Sequence, residues 1–191
     1  MLLYIHGFNS SPASFKANAL NAAFARLGRD DEFFCPALPH RPAEAMALLE
    51  AILPHHNPDN LTLIGSSLGG FYGTYLTEKY GVRCVLLNPA IFPHDGLRAY
   101  LGPQKNLYTG EQYVLTLQHL EEMRALFVPN LKHVDRYLLL TATGDEVLDY
   151  RDGVARYAGA AQIIIQGGDH GLSDFDDYLD KILDYARVSS L

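Results

Sequence analysis

The sequence contains no tryptophan and only two cysteines among 191 residues. Cys35 and Cys84 lie in separate apolar stretches, which is typical of reduced, buried thiols and argues against a framework of disulfides. Uninterrupted apolar runs reach at most five residues, as in Met1–Ile5, whereas a helix that crosses a membrane needs about 20. We therefore expect a chain without a membrane span.

Clusters of positive charge are also missing. The 15 Lys and Arg residues are scattered, and with 22 Asp and Glu residues the formal net charge is −7. This balance disfavours binding to nucleic acids or to anionic membranes. The first residues, MLLYIHG, lack the basic segment and the apolar stretch of about 7–15 residues found in secretory signals, which predicts a cytoplasmic protein.

Sequence motifs for common cofactors are absent. There is no G-x-G-x-x-G for a dinucleotide, no G-x-x-x-x-G-K-[ST] for a nucleoside triphosphate and no H-E-x-x-H for zinc. We therefore predict chemistry on a small molecule that needs no cofactor and no metal. The sequence does not indicate an oligomeric state.

What is present is typical of a globular protein, with 48% hydrophobic and 19% charged residues. The length predicts one domain over residues 1–191, because domains usually contain roughly 100–200 residues. Six short apolar runs are predicted to be strands, since continuously apolar runs are typical of strands buried on both faces. These runs are Leu2–Ile5, Phe33–Cys35, Leu61–Ile64, Arg83–Leu87, Tyr137–Thr141 and Gln162–Ile165.

Longer amphipathic stretches between these runs are predicted to be helices. They are Ser14–Leu27, Ala43–Leu53, Leu68–Tyr80, Asp149–Tyr157 and Asp174–Arg187. Alternation of strands and helices favours an α/β fold, with a mostly parallel sheet of about six strands and helices on both faces.

Residues 89–136 break this alternation. No strand is predicted there, and two amphipathic pieces around Leu97 and Leu120 indicate a helical insertion. Long insertions in compact domains often form lids or pocket walls, so we interpret this segment as a lid over the substrate. A plain pair of helices packed on the core is the alternative. Tyr100, Leu107 and Tyr113 are its candidate substrate contacts.

A serine motif follows the third predicted strand. Residues 61–73 read LTLIGSSLGGFYG, an apolar strand that runs through G-x-S-x-G into a predicted helix. This context is typical of a nucleophile elbow, a sharp turn that exposes a serine and allows only small neighbours. Ser67 is therefore the candidate nucleophile, with Gly65 and Gly69 as its small neighbours.

A serine nucleophile needs a base and an acid that orients the base. In enzymes with such an elbow, the acid and then the histidine follow later strands. His170 follows the sixth predicted strand and is the candidate base. Asp145 is the candidate acid because it lies nearest the end of the fifth strand, with Glu146 and Asp149 as alternatives.

The loop after the first strand is expected to complete the site. An oxyanion hole uses the backbone N–H after the nucleophile and a second N–H from an early loop. Leu68 supplies the first, and Phe8 is the candidate for the second. Asn9 in the same loop is a candidate substrate contact, or forms only a turn.

These motifs together resemble the α/β-hydrolase superfamily, and within it the small bacterial YqiA-like esterases. The resemblance rests on HGFNSSP at residues 6–12, GSSLGGFYGTYL at 65–76, TGDEVLDYRDG at 143–153 and GGDH at 167–170. It implies a catalytic triad of Ser67, Asp145 and His170, and activity on acyl esters or acyl thioesters without a cofactor. Because the first strand starts almost at Met1, the leading strands of larger members should be missing.

The leading hypothesis is thus a serine esterase or thioesterase acting through an acyl-enzyme. The same triad also supports hydrolysis of amides or of C–C bonds. A binding protein that keeps the fold without catalysis is the alternative from another class, and an intact triad argues against it.

Overall fold

The computed structural model describes residues 1–188, so Ser189, Ser190 and Leu191 lie outside the described part. It contains eight strands, which are β1 (Leu2–Ile5), β2 (Phe33–Phe34), β3 (Thr62–Ser66), β4 (Arg83–Leu87), β5 (Gly102–Lys105), β6 (Gln112–Leu115), β7 (Tyr137–Ala142) and β8 (Ala161–Ile165).

The helices are α1 (Phe15–Arg26), α2 (Pro42–Ile52), α3 (Leu68–Tyr80), α4 (Pro93–Gly96), α5 (Leu117–Ala125), α6 (Tyr150–Arg156) and α7 (Leu179–Tyr185). Short 3₁₀ turns cover Asp30–Glu32, Leu53–His55, Leu97–Tyr100, Val134–Arg136 and Phe175–Tyr178. None of the helices in residues 1–188 is long and apolar enough to cross a membrane.

Six strands form one sheet in the order β2-β1-β3-β4-β7-β8, and every neighbouring pair is parallel. Successive side chains of each strand point to opposite faces of this sheet. In β1, Leu3 and Ile5 pack on the face covered by α2, α3 and α5, while Leu2 and Tyr4 pack on the face covered by α1 and α7. The predicted parallel sheet of about six strands with helices on both faces is confirmed.

The position of the site follows from the strand order. From β1 the chain moves outward to β2, then returns to place β3 on the other side of β1 and continues to β4, β7 and β8. The winding therefore reverses between β1 and β3. Open α/β sheets bind ligands at the carboxyl ends of the strands beside such a reversal. The loop after β1 and the turn after β3 meet at this point.

The insertion between β4 and β7 differs from the prediction. We predicted no strand in residues 89–136, but β5 and β6 pair antiparallel, with Gly102 opposite Leu115. β5 reads Gly-Pro-Gln-Lys and has no apolar run. β6 contains only the three-residue apolar run 113–115, in which Leu115 alone is buried, and it was not predicted as a strand. The helical description of this segment was wrong in that respect, because α4 and α5 flank a hairpin.

Candidate active site

Ser67 lies at the turn between β3 and α3. Its backbone has φ 53° and ψ −117°, a strained conformation for a residue with a side chain. Close packing explains the flanking glycines. A Cβ atom on Gly69 would collide with the carbonyl oxygen of Ile5, and one on Gly65 would collide with the backbone of Gly69. The turn thus has the geometry predicted for a nucleophile elbow.

Ser67, His170 and Asp145 form a chain of hydrogen bonds. Nε2 of His170 lies 3.1 Å from Oγ of Ser67, and its Nδ1 lies 2.8 Å from Oδ2 of Asp145. When Nδ1 carries the proton, the ring donates to Asp145, and Nε2 is an acceptor for the serine proton. The structure therefore brings together the three side chains that the sequence singled out.

Asp145 has the environment of an orienting carboxylate. Its side chain is only 1% exposed, and burial by itself would raise its pKa. Hydrogen bonds from the His170 ring and from the N–H groups of Leu148 and Val147 outweigh burial, so the pKa of Asp145 lies below its usual value. The carboxylate is consequently ionised at neutral pH.

The two alternative acids have other partners. Glu146 accepts a hydrogen bond from the backbone N–H of His170 at 3.0 Å, so it contacts the main chain of the candidate base rather than its ring. Asp149 caps α6 and pairs with Arg151. Of these three carboxylates, Asp145 is the one that reaches the imidazole.

Sequence reasoning missed Asn88, which follows β4 directly. Its side chain is buried, and its Nδ2 donates to the carbonyl oxygens of Asp169 and His170 at 3.0 and 3.1 Å. Its Oδ1 accepts from the N–H of Ala142 at 2.9 Å. Asn88 thereby ties the end of β7 to the loop of His170. The sequence signal that could have identified Asn88 is its position as a polar residue between the end of an apolar strand and Pro89.

The loop after β1 lies directly against the nucleophile. A Cβ atom on Gly7 would stand 3.2 Å from the carbonyl oxygen of Ser66 and 3.2 Å from Cβ of Ser67. His6 holds the start of this loop, since its Nε2 accepts from the N–H of Leu38 and its Nδ1 bonds the carbonyl of Gly7. Burial lowers the pKa of His6, which favours the neutral ring that this pair of bonds requires.

The two residues predicted to supply the oxyanion hole, Phe8 and Leu68, directly follow Gly7 and Ser67 in the chain. Leu68 is the first residue of α3, where N–H groups have no partner within the helix. Phe8 follows Gly7 and lines the same cleft as Ser67. Phe8 and Leu68 thus belong to separate elements, the loop after β1 and the start of α3, and their use as an oxyanion hole stays a prediction.

A cleft of about 480 Å³ opens beside Ser67 and His170, a size typical of small-molecule sites. Four aromatic residues, Tyr4, Phe8, Phe15 and Tyr108, supply its apolar wall. The other side chains at its wall are Ser10, Ser14, Lys16, Ser66 and Ser173. The cleft therefore offers an apolar surface next to the nucleophile.

The four residues predicted as substrate contacts lie outside this lining. Asn9 and Tyr113 line a smaller neighbouring cavity of about 40 Å³. Tyr100 packs edge-on against Phe8, with ring centroids 6.5 Å apart, and Leu107 is 82% exposed. Within the described insertion, Tyr108 is the residue that reaches the cleft, because the turn between β5 and β6 carries it there.

Side chains that bind metals are dispersed. Within residues 1–188, no group of three or more His, Cys, Asp and Glu side chains is placed to hold a metal ion. Cys35 and Cys84 are free thiols, and burial raises the pKa of each to about 12. Neither thiol is therefore a competing nucleophile at neutral pH.

Known proteins are similar to this chain in sequence and in fold. The family UPF0227, described as an uncharacterised protein family, matches residues 1–187. A UPF0227 protein of Pectobacterium atrosepticum is 23% identical over 153 residues, which cover 78% of this chain and 77% of the relative.

Two solved structures illustrate the fold. The mouse alpha/beta hydrolase domain-containing protein 10 has a TM-score of 0.71 and 16% identity, over 98% of this chain and 90% of its own. Est1E from Butyrivibrio proteoclasticus, solved with ferulic acid bound, has a TM-score of 0.68 and 15% identity, over 98% of this chain and 89% of its own. These similarities show an α/β-hydrolase fold.

Proposed function

The chain belongs to the UPF0227 family and has the α/β-hydrolase fold, and from that premise we propose that it is a serine hydrolase that acts on carboxylic esters or acyl thioesters. The observation that carries the proposal is the hydrogen-bonded series from Ser67 through His170 to the buried carboxylate of Asp145. Such a series activates a hydroxyl that is otherwise a weak nucleophile.

Each residue has a defined part in the first half of the reaction. Oγ of Ser67 attacks the acyl carbonyl carbon while its proton passes to Nε2 of His170. Asp145 stabilises the imidazolium that forms, and the N–H groups of Phe8 and Leu68 donate to the carbonyl oxygen as it becomes negative. The bond to the leaving group then breaks, and His170 returns the proton to the departing alcohol or thiol.

Water completes the reaction. His170 accepts a proton from a water molecule that attacks the acyl-enzyme, the bond to Ser67 Oγ breaks, and the proton passes back to the serine. The free acid leaves the cleft. The leaving group takes part only before this stage, so the second half of the reaction is the same for esters and thioesters.

The direct test is covalent labelling. A fluorophosphonate reacts with a serine only where a base activates it, so we expect one adduct per chain, located on Ser67 by mass spectrometry. Ser67→Ala should abolish the adduct, and His170→Ala should slow its formation strongly. A folded wild-type chain that stays unlabelled would instead indicate a binding protein without catalysis.

The apolar wall predicts a preference among acyl chains. If the acyl chain packs against Phe15 and Tyr108, kcat/KM should rise with chain length until the cleft is full. Each buried methylene contributes up to roughly 0.8 kcal/mol, or about fourfold. Tyr108→Ala should flatten this rise and spare acetyl esters, as measured with p-nitrophenyl esters of increasing length.

A neighbouring residue provides the matched control. Leu107 lies in the same turn but is 82% exposed and does not line the cleft. Leu107→Ala should therefore keep the chain-length profile of the wild type. If both variants leave the profile unchanged, the acyl chain does not contact this turn.

A further inference from the structure

The hairpin of residues 102–115, which comprises β5, β6 and the turn between them, is bonded to the loop that precedes α1. Nδ2 of Asn106 donates to the carbonyl oxygen of Ser10 at 2.8 Å. The N–H of Leu107 donates to the carbonyl oxygen of Asn9 at 3.2 Å. The turn of the hairpin thus holds the main chain of two successive residues in the loop beside Ser67.

Side-chain bonds from both strands converge on Asn9. The hydroxyl of Tyr113 donates to Oδ1 of Asn9 at 2.8 Å, and Nδ2 of Asn9 donates to Oε1 of Gln104 at 3.1 Å. Both ends of the Asn9 amide are therefore used by the hairpin. Gln104 and Tyr113 are paired across β5 and β6, so a residue of each strand is bonded to the side chain of Asn9.

The backbone of Asn9 needs such support. Its φ is +53°, a region that residues with side chains seldom adopt and that asparagine tolerates better than most. Contacts from the surrounding structure are what keep a residue in a sparsely populated conformation. The hairpin supplies those contacts from a segment almost a hundred residues further along the chain.

Phe8 lies between Gly7 and Asn9, two residues whose positions are fixed by contacts. On one side Gly7 packs against Ser66 and Ser67, and on the other Asn9 is held by the hairpin. The Phe8 ring also packs against Tyr100, which lies just before β5. The Phe8 N–H lies in the peptide unit between Gly7 and Phe8, so its orientation depends on the path of a loop that is fixed by contacts of Gly7 on one side and of Asn9 on the other.

We propose that the hairpin is a positioning element of the oxyanion hole, in which Tyr113 and Gln104 hold Asn9 and thereby aim the Phe8 amide at the reacting oxygen. This inference rests on the proposed esterase function. It assigns Tyr113 and Asn9 a role in transition-state stabilisation, in place of the substrate contact predicted from the sequence.

The proposal has a kinetic signature. Negative charge develops on the oxygen only as the reaction proceeds, so a misplaced Phe8 amide lowers kcat more than it raises KM. Small displacements of catalytic groups cost up to about 100-fold. We expect Tyr113→Phe to lower kcat by about 10- to 100-fold, by the same factor for acetyl and for longer esters, with KM changed little.

A variant of Asn9 separates the effect of its side-chain bonds to Tyr113 and Gln104 from the effect of its positive φ. Asn9→Gly accepts a positive φ but lacks the amide and therefore both of its bonds, so it should lose at least as much kcat as Tyr113→Phe. The double variant should be no worse than Asn9→Gly alone, because that substitution already removes the contact with Tyr113. Gln104→Ala removes the other bond and tests the proposal again if Tyr113→Phe does not fold. Val114→Ala, an exposed neighbour on β6, should match the wild type.

The outcomes are distinguishable. A wild-type chain without ester hydrolysis or fluorophosphonate labelling would refute the proposed function itself. An active wild type with a folded Tyr113→Phe variant of unchanged kcat would overturn the positioning role alone. Losses confined to long-chain esters would also overturn it, because they would make the hairpin a wall for the acyl chain. Circular dichroism and thermal melting establish that each variant is folded.

Discussion

Ser67→Ala is expected to lower ester turnover by at least about 10³–10⁴-fold while the protein stays folded. The change removes the attacking oxygen and therefore the acyl-enzyme, whereas the backbone contacts of the elbow remain. The N–H of Ser67 still donates to the carbonyl oxygen of Leu87, and alanine fits wherever serine does. Turnover of p-nitrophenyl acetate, together with a thermal melt, measures both parts of this expectation.

The neighbouring serine is the control for this substitution. Ser66 is the last residue of β3 and is buried beside the elbow, but it makes no bond to the imidazole of His170. Ser66→Ala should cause a much smaller loss. Equal and modest losses in the two variants would show that the elbow is assigned to the wrong residue.

His170→Ala should cause a loss of similar size, and combining it with Ser67→Ala should add almost nothing. A base that serves only one nucleophile has no role once that nucleophile is absent, so members of one catalytic unit are strongly non-additive. We expect the kcat/KM of the double variant to lie near that of either single variant. The measurement is a double-mutant cycle on one ester substrate.

Independent losses from Ser67→Ala and His170→Ala would contradict the hydrogen bond between these two side chains. A double variant reduced by the product of the single losses would mean that His170 acts on something other than Ser67, despite the 3.1 Å separation of Nε2 and Oγ. Arg151→Ala is a control variant close to Asp145 in the chain, at a residue outside the proposed triad. It breaks an exposed ion pair with Asp149, which contributes little at the surface, and should leave activity close to the wild type.

The candidate triad was predictable because strong local patterns mark it. An apolar strand followed by G-x-S-x-G identified Ser67, and strand ends identified Asp145 and His170. In a parallel sheet these ends all lie at one edge, so strand prediction alone placed the residues near one another. The turn at Ser67 and the two hydrogen bonds of His170 agree with that placement.

The wall of the cleft and the support of the early loop were not predictable in the same way. β5 and β6 are short and partly polar, and the hairpin that they form is bonded to Asn9 and Ser10, which are distant in sequence. Without the hairpin, Tyr108 could not be placed at the cleft. Asn88 was not predictable for a related reason, since its three bonds join the end of β7 to the loop of His170, and these elements are distant from it in sequence.

The parallel order of the main sheet also affects how the candidate site assembles during folding. Phe8, Ser67, Asp145 and His170 each follow a different strand, and pairings such as Leu2 with Thr62 join distant parts of the chain. Distant pairings form slowly because the intervening chain must first be ordered. Helices reach their structure sooner than a sheet of this kind. During refolding, therefore, we expect the helical signal to return before any hydrolysis, because the site is complete only when β1, β3, β7 and β8 are in place together.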